Sequence, residues 1–440
     1  MNLLLYIFVS MFFLIILIRH FRNEMFQITP LALFYILLLI DVFMPAILFE
    51  ISGLPVYPAY YGYISEYDLL KSVFIFVVAA FFFTLGYRTK VIRLFENKPY
   101  FKNEYQLNYK LLYIFYLITV FNVILNGYIE IRNLGGFENY YDFKIKRVYL
   151  ETMQSANIFE KIVFLISSKS SSLLILLNSL LFYNRFNYNK KILWGLVIPL
   201  ITFLLILTGL HRGTILNFFI SLIVVEIFRM QKTKHKLNFK ISKKIKNRFV
   251  AFGLVSVIFF LTFGAIRGRL NSSVWGNEIT FFESLLLQIQ NNFGISLLAL
   301  ARVQNYFSSN ENWLLGQTIF EMLYFFVPRP IFPEKPIQYG IISANTIMGS
   351  PSSTMDAITI PGEMIANFGL LGVVLVFAFG YFYKLLKHWT YNEQYIPVYA
   401  TLITTVTVTF WMSFTGLFSQ MIYLPVYMVI IKILFKKVKV

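Results

Sequence analysis

The ten residues Val327-Pro-Arg-Pro-Ile-Phe-Pro-Glu-Lys-Pro336 interrupt a strongly apolar region of the chain. Four prolines in ten residues exclude a regular helix, because each lacks an N–H donor and fixes its own φ. Irregular backbone beside membrane helices is tolerated only where protein buries it or where it lines a polar cavity. Arg329 and Lys335 put two fixed cations there, which suggests that something anionic binds.

The rest of the chain makes the membrane setting firm. Of 440 residues, 58% are hydrophobic, 19% aromatic and only 14% charged, and the mean hydropathy of +0.66 excludes an ordinary soluble domain. Many apolar runs approach the roughly 20 residues that a spanning helix needs. The net charge of +18 lies mainly in short loops between those runs. That is the pattern of cytoplasmic loops facing anionic lipid heads, so membrane lipids and not nucleic acid are the expected contact. No cysteine is present, so neither disulfides nor thiolate metal sites form.

The reading is an all-α polytopic membrane protein with spans near 2–18, 27–50, 70–87, 111–128, 162–182, 193–210, 214–228, 249–266, 362–385, 396–412 and 415–433. The first run lacks a basic leading segment and a small-residue cleavage site, and Arg19 and Arg22 follow it. This predicts a retained helix with its N-terminus outside. Eleven crossings then place the C-terminus inside, and 26 of the 39 Lys and Arg fall on predicted cytoplasmic segments, nine of them in the basic loop 229–248. Most acidic residues fall on the other side. The outer segments of note are 51–69, 129–161 and the longest, 267–361. Apolar stretches near 281–307 and 313–327 in the last would raise the count to thirteen if they cross. Their polar interruptions favour a partly embedded, interfacial arrangement. With no internal repeat, residues 1–440 read as one transmembrane domain.

Topology gathers five cations at the outer boundary, the side that the positive-inside rule depletes. Arg212 lies in the turn Thr208-Gly-Leu-His-Arg-Gly-Thr214, Arg267 and Arg269 end a span, and Arg329 and Lys335 follow Val327. Guanidinium forks suit phosphate oxygens, and a lipid pyrophosphate of the outer leaflet would sit at this level. The competing reading is snorkelling to lipid heads or pairing with carboxylates. Pro361 marks a helix start, which puts Glu363 in the first turn, either as a helix-dipole partner or as a general base. His211, beside Arg212, is a base, a phosphate orienter or a structural histidine. Gly369 and Gly372 read as packing positions. Asp41 and Lys169 lie inside predicted spans, at about 2.5–3.5 kcal/mol each if isolated at the bilayer centre; they pair or line a pathway. None of the four aspartates is spaced Asp-x-Asp, and no P-loop or His-Glu-x-x-His occurs. The expected chemistry is independent of metal, cofactor and nucleotide donor.

Three blocks carry a resemblance. They are Gly209-Leu-His-Arg212 opening a span, Pro328-Arg329-Pro-Ile-Phe-Pro333-Glu-Lys335-Pro336, and Gly362-Glu363 with Asn367-Phe-Gly369. On them the chain resembles the Wzy-type O-antigen polymerases, which join oligosaccharide repeat units in bacterial envelopes. The resemblance implies a fold similar to the GT-C-type membrane glycosyltransferases with a large periplasmic loop. It implies an inner-membrane enzyme whose active site faces the periplasm and whose substrate is an undecaprenyl-pyrophosphate-linked oligosaccharide. The growing glycan would pass to the non-reducing end of a fresh lipid-linked unit, with inversion at the anomeric carbon. Arg212 and Arg329, with Arg267, Arg269 and Lys335 as secondary contacts, would hold the pyrophosphate, and Glu363 or His211 would take the acceptor proton. A flippase and a chain-length regulator protein are the implied protein partners. An O-antigen ligase and a flippase of lipid-linked oligosaccharide are the alternatives.

Overall fold

The computed structural model describes residues 2–23, 29–52, 64–91, 105–133, 135–137, 170–184, 192–208, 212–237, 262, 280–310, 313–320, 359–390, 393–407, 414, 417–418 and 423–437. These residues are almost wholly helical. Five stretches are long and apolar enough to cross a membrane: Asn2–Arg22, Pro30–Ile51, Glu66–Arg88, Tyr109–Asn133 and Ile360–Trp389. The protein is an all-α, membrane-embedded protein. One small departure is a two-stranded antiparallel ladder, β1 (Tyr105–Leu107) against β2 (Phe435–Lys437), which pairs Tyr105 with Lys437.

The chain divides into two compact units. The first comprises Met1–Lys98, Leu286–Trp389 and Thr405–Leu424. Its opening helix α1 (Asn2–Asn23) leaves Leu4, Phe8, Phe12 and Ile15 exposed at helical spacing, a surface suited to lipid. Helix α2 (Pro30–Leu38) starts with Thr29 as its cap: the hydroxyl accepts from Ala32 N at 3.1 Å, and Pro30 takes a position where a missing N–H costs nothing. His20 Nε2 lies 2.6 Å from the same hydroxyl, which fixes the end of α1 to the start of α2.

A π-turn (Leu39–Phe43) joins α2 to α3 (Met44–Ser52), and the Met44 N–H donates to Leu39 O, five residues back. The sequence explains it. Pro45 has no N–H to offer the Asp41 carbonyl, and its ring crowds that oxygen, so the wider turn takes up the conflict. Asp41 is wholly buried within this turn.

Helix α4 (Glu66–Arg88) begins with a capping box: Ser65 Oγ accepts from Asp68 N, and an Asp68 carboxylate oxygen accepts from Ser65 N. Its partner is α11 (Val376–Trp389). The two cross through reciprocal glycines. A Cβ on Gly86 would stand 2.0 Å from Phe377 O, and one on Gly380 would stand 2.0 Å from Phe83 O. Small residues bring membrane helices together because packing, not the hydrophobic effect, drives association in lipid. Phe83 stacks on Phe34 at 4.1 Å and reaches Tyr383 at 5.9 Å. Lys384 Nζ lies 5.4 Å from the Tyr87 ring, so the basic ends of both helices sit together.

The stretch predicted as one span over 362–385 is not a single straight helix. Helix α10 (Ile360–Phe368) ends at Gly369, whose φ of +65° only glycine adopts without strain. A 3-10 segment (Gly369–Leu375) follows and leads into α11. A Cβ on Gly372 would meet Met364 O at 2.0 Å. In a continuous helix those residues would be about 12 Å apart along the axis, so α10 folds back against the 3-10 segment. Residues Gly369 to Trp389 rise about 35 Å on standard helix geometry, enough for a bilayer core alone. The stretch near 281–307 is part of a single helix, α9 (Phe281–Asn310), and its residues Leu297–Ala301 are buried by protein.

The second unit comprises Pro99–Leu285, Thr390–Thr404 and Pro425–Val440. It holds α5 (Tyr109–Asn133), α6 (Ser170–Asn184), α7 (Ile192–Thr208), α8 (Arg212–Leu237), α12 (Ile396–Leu402) and most of α13 (Tyr423–Leu434). Ile175, Ile206, Ile215, Phe218 and Leu222 form its apolar core. The Tyr116 hydroxyl donates to Ile198 O at 3.1 Å and lies 2.8 Å from Thr202 Oγ1, and Asn122 Nδ2 donates to Ser170 Oγ. Helix α8 continues past the predicted span end at 228 to Leu237, and within it Arg229 pairs with Glu226. The predicted span 249–266 lies outside the described residues apart from Thr262.

Candidate functional site

Helix α10 is built to hold a carboxylate. Thr359 caps it, with its hydroxyl accepting from Gly362 N at 3.1 Å and its carbonyl accepting from Glu363 N at 3.0 Å. The cap comes at a local cost: Thr359 has φ +61° and ψ 146°, a region that a β-branched residue occupies at roughly 1–3 kcal/mol. Such strain persists only where the surroundings impose it, and it clusters at ligand sites. Pro361 falls in the first turn, where its absent N–H is harmless.

Glu363 lies one turn in, fully buried, at the positive end of the helix dipole. Its Oε2 accepts from the backbone N–H of Phe414, a residue far along the chain. Phe414 is held in turn by Phe379 of α11, edge-on at 5.1 Å. One turn further on, Asn367 is also fully buried. Its Nδ2 donates to Thr318 Oγ1 at 2.7 Å and to Glu363 O at 2.8 Å. The Leu314 N–H donates to Ala366 O at 2.9 Å and so satisfies a carbonyl left open at the helix end. Ala366 packs with Val303 and Phe307 of α9, with Trp313 against them. Trp313 and Phe307 stack at 5.9 Å.

Glu363 is the candidate residue whose side chain the structure places. Arg212 is the first residue of α8, as a span-opening position requires. His211, Arg267, Arg269, Arg329 and Lys335 lie outside the described residues, as does Lys169. Gly372 is a packing glycine, as expected. Gly369 is not: a Cβ there would come no nearer than 3.9 Å to Trp313, and its requirement is the backbone angle. Thr318, Thr359 and the Phe414 N–H enter the site without having been singled out in the sequence. The spacing of Glu363 and Asn367, four apart and hence on one helix face, was the available signal for one more member. Among the described residues no three His, Asp or Glu side chains gather as metal ligands would.

The site is therefore a wholly buried carboxylate and amide on a short broken helix inside an all-α membrane protein. No family model, no curated protein and no solved structure matches the chain.

Proposed function

We propose that this protein is a Wzy-type polymerase of lipid-linked oligosaccharide repeat units. One observation carries the reading into three dimensions. The block Gly362-Glu363 with Asn367-Phe-Gly369, one of three behind the resemblance, is a buried half-helix with its carboxylate in the first turn and a glycine break at its end. Broken helices of this kind, buried in protein, are how membrane proteins build polar sites within a bilayer.

The reaction transfers a growing glycan from undecaprenyl pyrophosphate. A hydroxyl oxygen of the acceptor sugar attacks the anomeric carbon, and a new glycosidic bond forms. The bond from that carbon to the pyrophosphate oxygen breaks, and the lipid pyrophosphate leaves with the electron pair. The acceptor proton passes to Glu363, with His211 as the other candidate base. Arg212 and Arg329, aided by Arg267, Arg269 and Lys335, stabilise the charge that develops on the leaving group. Attack opposite the leaving group inverts the anomeric configuration.

The N-terminus faces the periplasm and the C-terminus the cytoplasm of a bacterial inner membrane. Lys384 lies over the ring of Tyr87, and the last turns of α4 and α11 carry Arg88 and Lys387, which favours the cytoplasm for that end. Residues Gly369–Leu375 then begin at the outer side, and α10 lies beside them. A flippase reading draws on a different observation, the fully buried Asp41 inside a candidate span.

The test is a gel of surface polysaccharide from the source strain lacking the gene, complemented with wild type or Arg329→Ala. A ladder that collapses to core plus one repeat unit, restored by wild type alone, is the expected result. Loss of every repeat unit, the first included, identifies a ligase or a flippase instead.

A further inference from the structure

Against the end of α10 the chain makes a turn that its sequence does not favour. The Gln317 N–H donates to Leu314 O at 2.8 Å, and the two residues between them, Leu315 and Gly316, have φ of +46° and +86°. That is the φ pattern of a type I′ turn, whose central positions call for glycine, asparagine or aspartate. Gly316 fits. Leu315 does not, because in the left-handed region its Cβ crowds the following carbonyl. Its side chain gains no burial in return, being 78% exposed. Among the described residues, Leu315 and Thr359 are the two non-glycine residues at positive φ. They stand at opposite ends of α10. Thr359 caps its start, while the Leu314 N–H donates to Ala366 O and the Phe368 ring lies on Gly316 at its finish. Backbone strain of this kind gathers at active sites and ligand clamps.

The turn is where apolar surface comes nearest to the buried acid. The rings of Phe368 and Phe320 both close on Gly316, where an added Cβ would stand 3.3 Å and 3.8 Å from them. Both rings are exposed. One residue inward, Asn367 is buried, and its Nδ2 bridges Thr318, just past the turn, to the Glu363 carbonyl. Glu363 and Phe368 are five residues apart, about 7.5 Å along the helix axis.

We propose that Leu315, Phe320 and Phe368 form a docking surface for the polyprenyl chain of the lipid carrier, where that chain leaves the Glu363 site for the bilayer. The inference rests on the polymerase reading and adds to it the residues that hold the lipid and not the sugar. Comparison with α1 separates the carrier's chain from bilayer lipid at large. Helix α1 presents Leu4, Phe8, Phe12 and Ile15 on a regular helix with no residue at positive φ. A fluid acyl environment demands no fixed turn. A chain that must exit at one place, beside one carboxylate, does. Two aromatic rings and a leucine held by a strained turn match a long, unsaturated, uncharged hydrocarbon.

The experiment uses Leu315→Asn, since asparagine accepts the left-handed region and removes the apolar group. The purified full-length protein in detergent is titrated with undecaprenyl phosphate, which carries the chain without a sugar, and separately with phosphatidylglycerol. Affinity is read from the shift in melting temperature. Expected is a melting temperature for unliganded Leu315→Asn equal to or above wild type. Its affinity for undecaprenyl phosphate should fall about tenfold, the contribution of one leucine side chain, while phosphatidylglycerol acts on both proteins alike. Equal affinities for undecaprenyl phosphate in wild type and variant overturn the surface. So does an equal loss for phosphatidylglycerol, since the residues then face bulk lipid. A lowered melting temperature in unliganded Leu315→Asn would make Leu315 a packing residue, and the same titration of Phe320→Gln then decides, with the same two results for and against. If deletion of the gene leaves the polysaccharide ladder intact, the polymerase reading fails. The titration contains no sugar, so it still upholds or sinks the lipid surface by itself.

Discussion

Two junctions in the first unit are built on opposite principles. Where α4 crosses α11, backbone meets backbone: Gly86 and Gly380 remove every intervening atom, and Phe34, Phe83 and Tyr383 close the flanks. Where α9 meets α10, the helices approach through Val303 and Ala366 but carry Gln304, Glu363 and Asn367 into the interior with them. The first junction gains contact at little polar cost. The second accepts buried amides, a buried acid and a strained Thr359. On the proposed polymerase reading, such a concentration marks where the protein serves a ligand and not its own stability.

The contrast is sharpest at Gly380. Leucine there would drive a Cβ against the Phe83 carbonyl, an atom that no side-chain rotation can move. The cost should exceed the ~1–3 kcal/mol usual for overpacking. Gly380→Leu is expected to abolish accumulation of folded protein, seen as loss of the monodisperse peak on size exclusion in detergent. Survival of a normal peak would show that α4 and α11 have slack and would break the comparison.

At the other junction the effect should fall on activity. Gln in place of Glu363 keeps the shape and an oxygen for the Phe414 N–H, and loses the proposed base. Glu363→Gln is expected to reduce polymer by at least ~100-fold while its melting temperature stays within a few degrees of wild type. Retained polymer would pass the role of base to His211.

The smallest effect is expected outside both junctions. Gly127 lies within α5, and a Cβ there meets nothing within 4 Å. Gly127→Ala should stabilise by about 0.5–1 kcal/mol through the backbone freedom it removes, read as a small rise in melting temperature with an unchanged ladder. A destabilised Gly127→Ala would mean that glycine content in these helices serves more than close crossings.

The features legible in the sequence were those written in one residue and its neighbours. Long apolar runs mark the five described stretches that are long and apolar enough to cross a membrane, and Pro361 before Glu363 marks a helix start with an acid in its first turn. Gly372 was legible as a packing position because small residues in spans usually pack. What required three dimensions depended on distant partners. Nothing near Gly86 or Gly380 announces that each faces the other's helix. The Phe414 N–H lies 51 positions from Glu363, and Gln304 stands between Arg302 and Asn305, where nothing local reveals its burial. The break at Gly369 had a local cause, but hydropathy averages across it and reads one continuous span.

The π-turn at Leu39–Phe43 has a consequence for how one membrane crossing can address two neighbours. A helix that inserts one extra residue advances its phase by about 100° beyond the break. Before the turn, α2 presents Phe34 and Tyr35 to Phe83 and Thr84 of α4. After it, α3 lays Phe49 into the notch left by Gly294 of α9. A regular helix would have kept a single stripe aimed at a single companion. The extra residue, forced by Pro45, works as a cog that changes which helix the second half engages, so the same segment ties α4 and α9 into one unit.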